Sequence, residues 1–284
     1  MTETAVRVRG LRKTYGDHVA VDGLDFDIRR GEIFGILGPN GAGKSTTVEI
    51  LEGHRKRDAG EVDVLGEDPA HPSRPWKSRI GIVWQNEVVA GEFTVGETVR
   101  HFARYFPNPR DPEEIIDLVG LSEKTNDRVG SLSGGQRRRV DVAVGVIGRP
   151  ELLFLDEPTT GFDPAARRQF WGLIRSLADG GTSIVLTSHY LDEVEALADR
   201  LIVVVKGKVV VEGDPATLGG RATAQATVSC LGPDGPMERR TDSPTRVVNE
   251  LAAHFNGEIP ELTVSRPSLE DIYLGLIKEQ ETAA

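Results

Sequence analysis

The residues best equipped for chemistry stand together early in the chain, as Gly38-Pro39-Asn40-Gly41-Ala42-Gly43-Lys44-Ser45-Thr46, directly behind the apolar run Ile33 to Leu37. Glycines at these positions permit backbone angles that turn successive N–H groups onto a phosphate. A helix beginning near Lys44 would aim the positive end of its dipole at the same point. The spacing is that of a phosphate-binding loop, in which Lys44 reaches the β- and γ-phosphates. Ser45 then offers a hydroxyl to a Mg2+ bridging those phosphates, and Thr46 is placed to hydrogen-bond the α-phosphate. Further on, Leu152-Leu153-Phe154-Leu155-Asp156-Glu157 reads as a buried strand ending in adjacent acids, stopped by Pro158. Neighbouring strand residues point to opposite faces, so the two carboxylates can hold separate tasks.

Between these lies Leu132-Ser133-Gly134-Gly135-Gln136, followed by a basic amphipathic helix from Arg137 to Ile147. Ser133 would cap that helix, with Gly134 and Gly135 letting its first N–H groups approach a γ-phosphate closely. Here the sequence resembles the nucleotide-binding subunit of ABC transporters, whose LSGGQ signature is matched letter for letter. The resemblance spans roughly Val6 to Pro215 and implies that two copies pack head to tail around two ATP molecules. Each site would join one chain's phosphate loop to the other's signature, including Gln136. Like the Walker B acid of P-loop NTPases, Asp156 would act on Mg2+ through its water shell, while Glu157 polarises the attacking water.

The resemblance extends to smaller elements. Tyr15 is similar to the aromatic platform under the adenine ring, although an aromatic here can equally be packing. Gln85 resembles the Q-loop glutamine that touches Mg2+ and the lytic water. Asp163, in Gly161-Phe162-Asp163-Pro164, resembles the D-loop aspartate that communicates between the two sites, with Phe162 where many members carry Leu. It also suits an N-cap before Pro164. His189, in Thr187-Ser188-His189, resembles the switch histidine that contacts the γ-phosphate and orients the water. The tail segment Pro267 to Tyr273 is similar to the ending of ABC ATPases in drug and antibiotic exporters of the daunorubicin-resistance type. The resemblance thus implies an ATPase coupled to a separate membrane permease, and hence a protein peripheral on the inner face of the membrane.

The elements that must position these residues are legible in the apolar pattern. Leu24, Phe26 and Ile28, and again Val62 and Val64, alternate as in antiparallel edge strands. Ile33 to Leu37, Ile80 to Trp84, Leu152 to Leu155 and Ile184 to Leu186 are apolar on consecutive positions, as in parallel strands covered on both faces. Asp111, Pro112 and Glu114 spell a helix start with a capping box. Val203 to Val205 and Val209 to Val211 form a hairpin through Lys206, Gly207 and Lys208. The triple Arg137, Arg138 and Arg139 reads as a solvated helix face.

The expected fold class is therefore α/β, a P-loop NTPase of ABC type. It has a mainly parallel central sheet, an antiparallel β subdomain and a helical subdomain at about 86–150. A boundary near Gly219 and Gly220 separates an ATPase domain, 1–220, from a small C-terminal α+β domain, 221–284. That second domain would hold strands at Thr227 to Leu231 and Leu262 to Val264, helices at Val247 to Phe255 and Leu269 to Ile277, and a loop at Gly232 to Pro236.

Composition narrows the function. Asp and Glu number 44 against 34 Lys and Arg, a net charge of −10 that is unfavourable for coating a nucleic-acid backbone, so no nucleic acid is expected as partner. The single cysteine, Cys230, excludes an intrachain disulfide and fits a reducing cytoplasm, with an apolar filler as its plain role. The apolar runs fall well short of the roughly 20 residues that span a bilayer, and Met1 to Arg9 carries no secretion-signal pattern. Chromosome-maintenance ATPases of the SMC type need a coiled-coil insertion, and Lys44 to Leu132 has no sustained heptads. Translation-factor proteins need two cassettes, and this chain has one.

Overall fold

The computed structural model describes residues 3–84, 91–232, 235–255 and 257–282. They divide into two compact units, 1–212 and 213–284. Along the first run strands β1 (Thr4–Tyr15), β2 (His18–Arg29), β3 (Ile33–Leu37), β4 (Ala59–Val64), β5 (Ile80–Val83), β6 (Leu152–Asp156), β7 (Ser183–Ser188), β8 (Arg200–Val205) and β9 (Lys208–Gly213). With them alternate helices α1 (Lys44–Leu51), α2 (Arg74–Lys77), α3 (Val95–Ala103), α4 (Pro112–Leu118), α5 (Gly134–Val146), α6 (Pro164–Asp179) and α7 (Leu191–Leu197).

The consecutive apolar runs become the central sheet, in the order β5-β6-β7-β3-β8-β9. Strand β3 lies parallel to β7 and β8, and β6 parallel to β5 and β7. Because neighbouring residues face opposite ways, Leu153, Leu155, Ile184 and Leu186 join an apolar cluster with Val99, Ile115, Val140 and Phe170 of the helices on one side. Leu152, Phe154, Val185 and Ile202 join Val48 and Leu51 of α1 and the antiparallel strands on the other. Each such side chain, fully withdrawn from water, contributes about 1.5–3 kcal/mol. The alternating segments behave as expected: β2 and β4 flank β1 in a separate antiparallel sheet, with Leu24, Phe26, Ile28, Val62 and Val64 buried.

Helix α5 can lie closely on the sheet because β5 carries a glycine. A Cβ on Gly81 would fall 2.2 Å from the Gly145 carbonyl oxygen. The hairpin joining β8 to β9 turns through Lys206 and Gly207, at φ 48° and 76°, the double positive φ of a type I′ turn.

Local readings fail in instructive places. Strand β5 stops at Val83, and Trp84 leaves the ladder because Arg138 takes its carbonyl. At α4, Asp111 caps by accepting from the Glu113 N–H at 2.9 Å, but Glu114 completes no capping box. It turns outward to Arg110 at 2.6 Å, a charged donor that outcompetes a backbone N–H. A reciprocal box forms instead at Thr94 and Glu97, starting α3.

The second unit contains β10 (Ala226–Gly232), β11 (Gly235–Thr241), α8 (Pro244–His254), β12 (Thr263–Ser265) and α9 (Leu269–Thr282). Its antiparallel sheet, β11-β10-β12, packs Val228 and Cys230 against Val247 and Leu251 of α8. Cys230 is thus a buried apolar filler. Of the loop expected over Gly232 to Pro236, Gly232 ends β10 and Gly235 and Pro236 belong to β11, while 233 and 234 lie outside the described residues. Strand β11 escapes a hydrophobicity reading because Glu238, Arg239 and Arg240 follow one another on an exposed strand.

Candidate functional site

Strand β3 delivers the chain into the phosphate-binding loop, whose geometry depends on Gly43. That residue sits at φ +101°, and a Cβ on it would fall 2.3 Å from the Ala20 carbonyl oxygen. Helix α1 starts there with no side-chain cap, so its first N–H groups are presented to the loop's concavity. Thr47 Oγ1 donates to the Gly43 carbonyl at 2.8 Å and Ala42 N–H to that of Pro39 at 3.2 Å, which pins the loop from both ends. Lys44 is buried, and its ammonium donates to the carbonyls of Gly38 at 2.7 Å and Pro39 at 3.1 Å. Burial lowers its pKa, an effect that nearby Glu157 and Asp156 oppose. A desolvated cation held mainly by carbonyl dipoles is suited to an anion such as phosphate.

A cleft of about 410 Å³ runs along this loop, lined by Tyr15, Asn40, Gly41, Lys44, Ser45, Thr46 and Glu157, with His18 and Ala20 beside them. Tyr15 is exposed, with Arg55 over its ring at 5.2 Å and Lys13 at 5.5 Å. His18 carries no sequence signal of its own, since only the β1–β2 turn brings it to the cleft.

The acids at the end of β6 take separate positions, as their alternation requires. Asp156 is tied through Oδ1 to the Thr187 hydroxyl of β7. Glu157 stands at φ +44°, a left-handed conformation that costs a side-chain-bearing residue of order 1–3 kcal/mol. Its N–H is held by the Thr187 carbonyl at 3.1 Å and hydroxyl at 3.2 Å. Its carboxylate meets His189 Nδ1 at 3.2 Å. The β6–β7 register, pairing Asp156 with Thr187, produces this meeting of residues distant in sequence. Beneath it Glu193, fully buried, accepts from Ser188 Oγ at 2.6 Å, Thr159 Oγ1 at 2.8 Å and Trp171 Nε1 at 3.3 Å. Burial raises its pKa, which these hydrogen bonds oppose. Nothing in the sequence distinguishes Glu193 from a surface helix acid.

Ser133, Gly134, Gly135 and Gln136 do not line that cleft. Ser133 caps α5 as its sequence suggests, in a full reciprocal box: its Oγ accepts from Gln136 N–H at 3.3 Å and Gln136 Oε1 from Ser133 N–H at 3.0 Å. Asp163 likewise lies elsewhere, N-capping α6 by accepting from Ala165 and Ala166 N–H, both at 2.9 Å. The Ala166 and Ala165 hydrogen bonds hold its carboxyl below the usual range. Phe162 packs edge-on against Phe170, with centroids 5.5 Å apart. Gln85 lies outside the described residues.

The basic triple is a solvated face only in part: Arg137 and Arg139 are half-buried, and Arg138 is buried. Arg137 donates to the Leu132 carbonyl at 2.7 Å and Arg139 to Gln169 at 2.6 Å. Arg138 is buried, its guanidinium donating to the carbonyls of Pro158 at 3.0 Å and Asp156 at 2.9 Å and to that of Trp84. Burial lowers its pKa, opposed by Asp141, Asp156 and Glu193. Charge alone suggested solvent; three inward carbonyls decided otherwise.

For a divalent cation, the Ser45 hydroxyl and the Glu157 carboxylate line the cleft, and the Asp156 carboxylate lies close enough to act on Lys44. Among the described residues no group of three or more His, Cys, Asp or Glu could cage a metal. A cation here would keep waters and lean on phosphate oxygens, which fits Mg2+ rather than zinc or calcium.

The family model for "ABC transporter" matches residues 21–160. The Nod factor export ATP-binding protein I of Ralstonia nicotianae is 41% identical over 243 residues, covering 84% of this chain and 75% of that protein. The daunorubicin resistance ATP-binding protein DrrA3 of Streptomyces coeruleorubidus is 36% identical over 97% of this chain and 96% of its own length. Among solved structures, CbiO1 of Clostridium perfringens, part of the ABC transporter complex CbiONQ, superposes with a TM-score of 0.69 at 29% identity, covering 75% of this chain and 90% of that one.

Proposed function

The chain belongs to the ABC transporter family as an ATP-binding, ATP-hydrolysing subunit, and on that footing we propose that its turnover drives a separate membrane permease exporting a small molecule, such as a drug or antibiotic. Export is supported by the relatives that cover the chain, named for Nod factor export and daunorubicin resistance, rather than by scaffold ATPases of the SMC or translation-factor kind. No helix among the described residues is long and apolar enough to cross a membrane, so a membrane-spanning partner supplies the cargo path. The protein works at the inner face of the membrane through that partner.

The site residues take these roles. Tyr15 stacks on adenine, and the loop from Gly38 through Pro39, Asn40, Gly41, Ala42 and Gly43 to Thr46 wraps the phosphates. Lys44 moves from its carbonyls to the β- and γ-phosphates. Ser45 and Asp156, with Gln85, would hold Mg2+, which when bound would neutralise developing charge on the phosphate oxygens. Glu157 orients and polarises the attacking water, steadied by His189. Catalysis comes from positioning and charge stabilisation, with no covalent intermediate. Ser133 to Gln136 and Asp163 complete the site of a second copy, so the working unit is a homodimer. The second unit, which carries none of these residues, regulates or couples.

The observation that carries this reading is Glu157 held in a strained conformation at the cleft and paired with His189. Glu157→Gln should bind Mg-ATP yet stall, trapping a stable dimer visible by size-exclusion chromatography. A persistent monomer at saturating ATP, or turnover near that of the parent, would remove Glu157 from this role.

A further inference from the structure

We propose that Arg138 is a positioning residue for hydrolysis, fixing the backbone on both sides of Glu157 and tying it to the helix that begins at Ser133; this rests on the catalytic reading of Glu157. The guanidinium spans the carbonyls of Asp156 and Pro158, the immediate neighbours of Glu157, at 2.9 and 3.0 Å. It also holds the carbonyl of Trp84, where the chain leaves β5. Asp141, one turn along α5, lies 3.9 Å from it and balances its charge.

A residue at positive φ does not stay there unless its surroundings over-determine it. Thr187 holds the N–H of Glu157 from the β7 side. Arg138 holds the two flanking carbonyls from the α5 side. Without that second hold the peptides around Glu157 are free to relax toward ordinary angles, and the carboxylate moves relative to the cleft. A planar fork suits three separately oriented carbonyls, whereas an ammonium on a flexible stem is a point charge that cannot reproduce the fork. Since Arg138 belongs to α5, a movement of the helix that carries Ser133 can reach the backbone beside Glu157 through this side chain. The carbonyls that Arg138 holds belong neither to the phosphate loop nor to Tyr15, so ATP binding need not depend on it.

The test uses the full chain as Arg138→Lys and Arg138→Met, with steady-state ATP turnover, equilibrium binding of a fluorescent ATP analogue and thermal unfolding. The expected result is a split: kcat falls at least about tenfold in both variants, while ATP affinity stays within about twofold. Parent-like kcat in Arg138→Lys overturns the proposal. So does loss of ATP binding or of folded protein in both variants, which would make Arg138 structural support only. If Arg138→Met alone fails to fold, Arg138→Lys decides. Glu157→Gln assayed alongside separates the two ideas: if it retains turnover the reading of Glu157 fails, and if it is inactive while the Arg138 variants match the parent, only this inference fails.

Discussion

Two helix starts in the first unit, both assigned to phosphate in the function proposed above, are finished in opposite ways. Helix α1 opens on Gly43 in a left-handed conformation with no side-chain cap, facing a cleft walled by its own chain's Tyr15 and Glu157. Helix α5 opens on Ser133, whose hydroxyl and backbone N–H are both engaged by Gln136 in a closed capping box outside that cleft. The first end has no side-chain cap and is suited to an anion. The second has its Gln136 N–H satisfied by Ser133, and under the function proposed above its phosphate is brought by a second copy.

The comparison breaks most visibly through Lys44→Ala and Ser133→Arg, both of which should abolish turnover. Only Lys44→Ala should weaken ATP binding, by about 3 kcal/mol or roughly 100-fold, since a charge-assisted contact to phosphate is lost. Mixed together, the two inactive proteins should regain activity, because one of the two sites in a mixed dimer is intact. With random exchange about half the dimers are mixed, which sets a ceiling of about a quarter of parental turnover. No recovery, with mixed dimers confirmed by pull-down through different tags, would mean that each site is built within one chain or that the sites are obligatorily coupled. Turnover by Ser133→Arg alone would refute the shared site.

A milder variant sharpens the same contrast. Ser133→Ala removes one half of the box at α5 and should cost about 1 kcal/mol of stability in denaturant unfolding, with ATP binding to α1 unchanged. A drop in ATP affinity would show that the two helix ends are not separate.

A separate, pH-dependent effect lies at the far end of α1, where Glu52 forms the C-cap and pairs with His54 Nδ1 at 3.2 Å. Burial pushes its carboxyl up to about 8, partly offset by a hydrogen bond from Trp84. The folded state therefore holds this proton more tightly than the unfolded chain. The resulting stability is complete below the ordinary carboxylate range and is lost as pH rises toward about 8. Glu52→Gln should flatten the decline in melting temperature between pH 5 and pH 8. An unchanged slope would assign it to other groups.

Much of the fold was legible because the signals are local. The apolar runs of β3, β6 and β7 announce strands buried on both faces, and the Ser133 to Gln136 spacing announces a cap without reference to the rest of the chain. Where sequence reading failed, the deciding partner was remote or a competitor was near. Glu114 preferred Arg110 to the backbone, and β11 formed beside β10 with hardly an apolar residue of its own.

The phosphate loop, the acids behind it and the family could all be read from the order of residues, since glycine placement and strand hydrophobicity act on immediate neighbours. Folding had to occur before Glu157 could be strained and meet His189, before Glu193 could be buried against Ser188 and Thr159, and before Arg138 could turn inward. Those outcomes depend on the register of β6 against β7 and on the close seating of α5 over Gly81. Whether a charge faces water or a row of carbonyls is set by what the fold places beside it, and residue type carries no record of that.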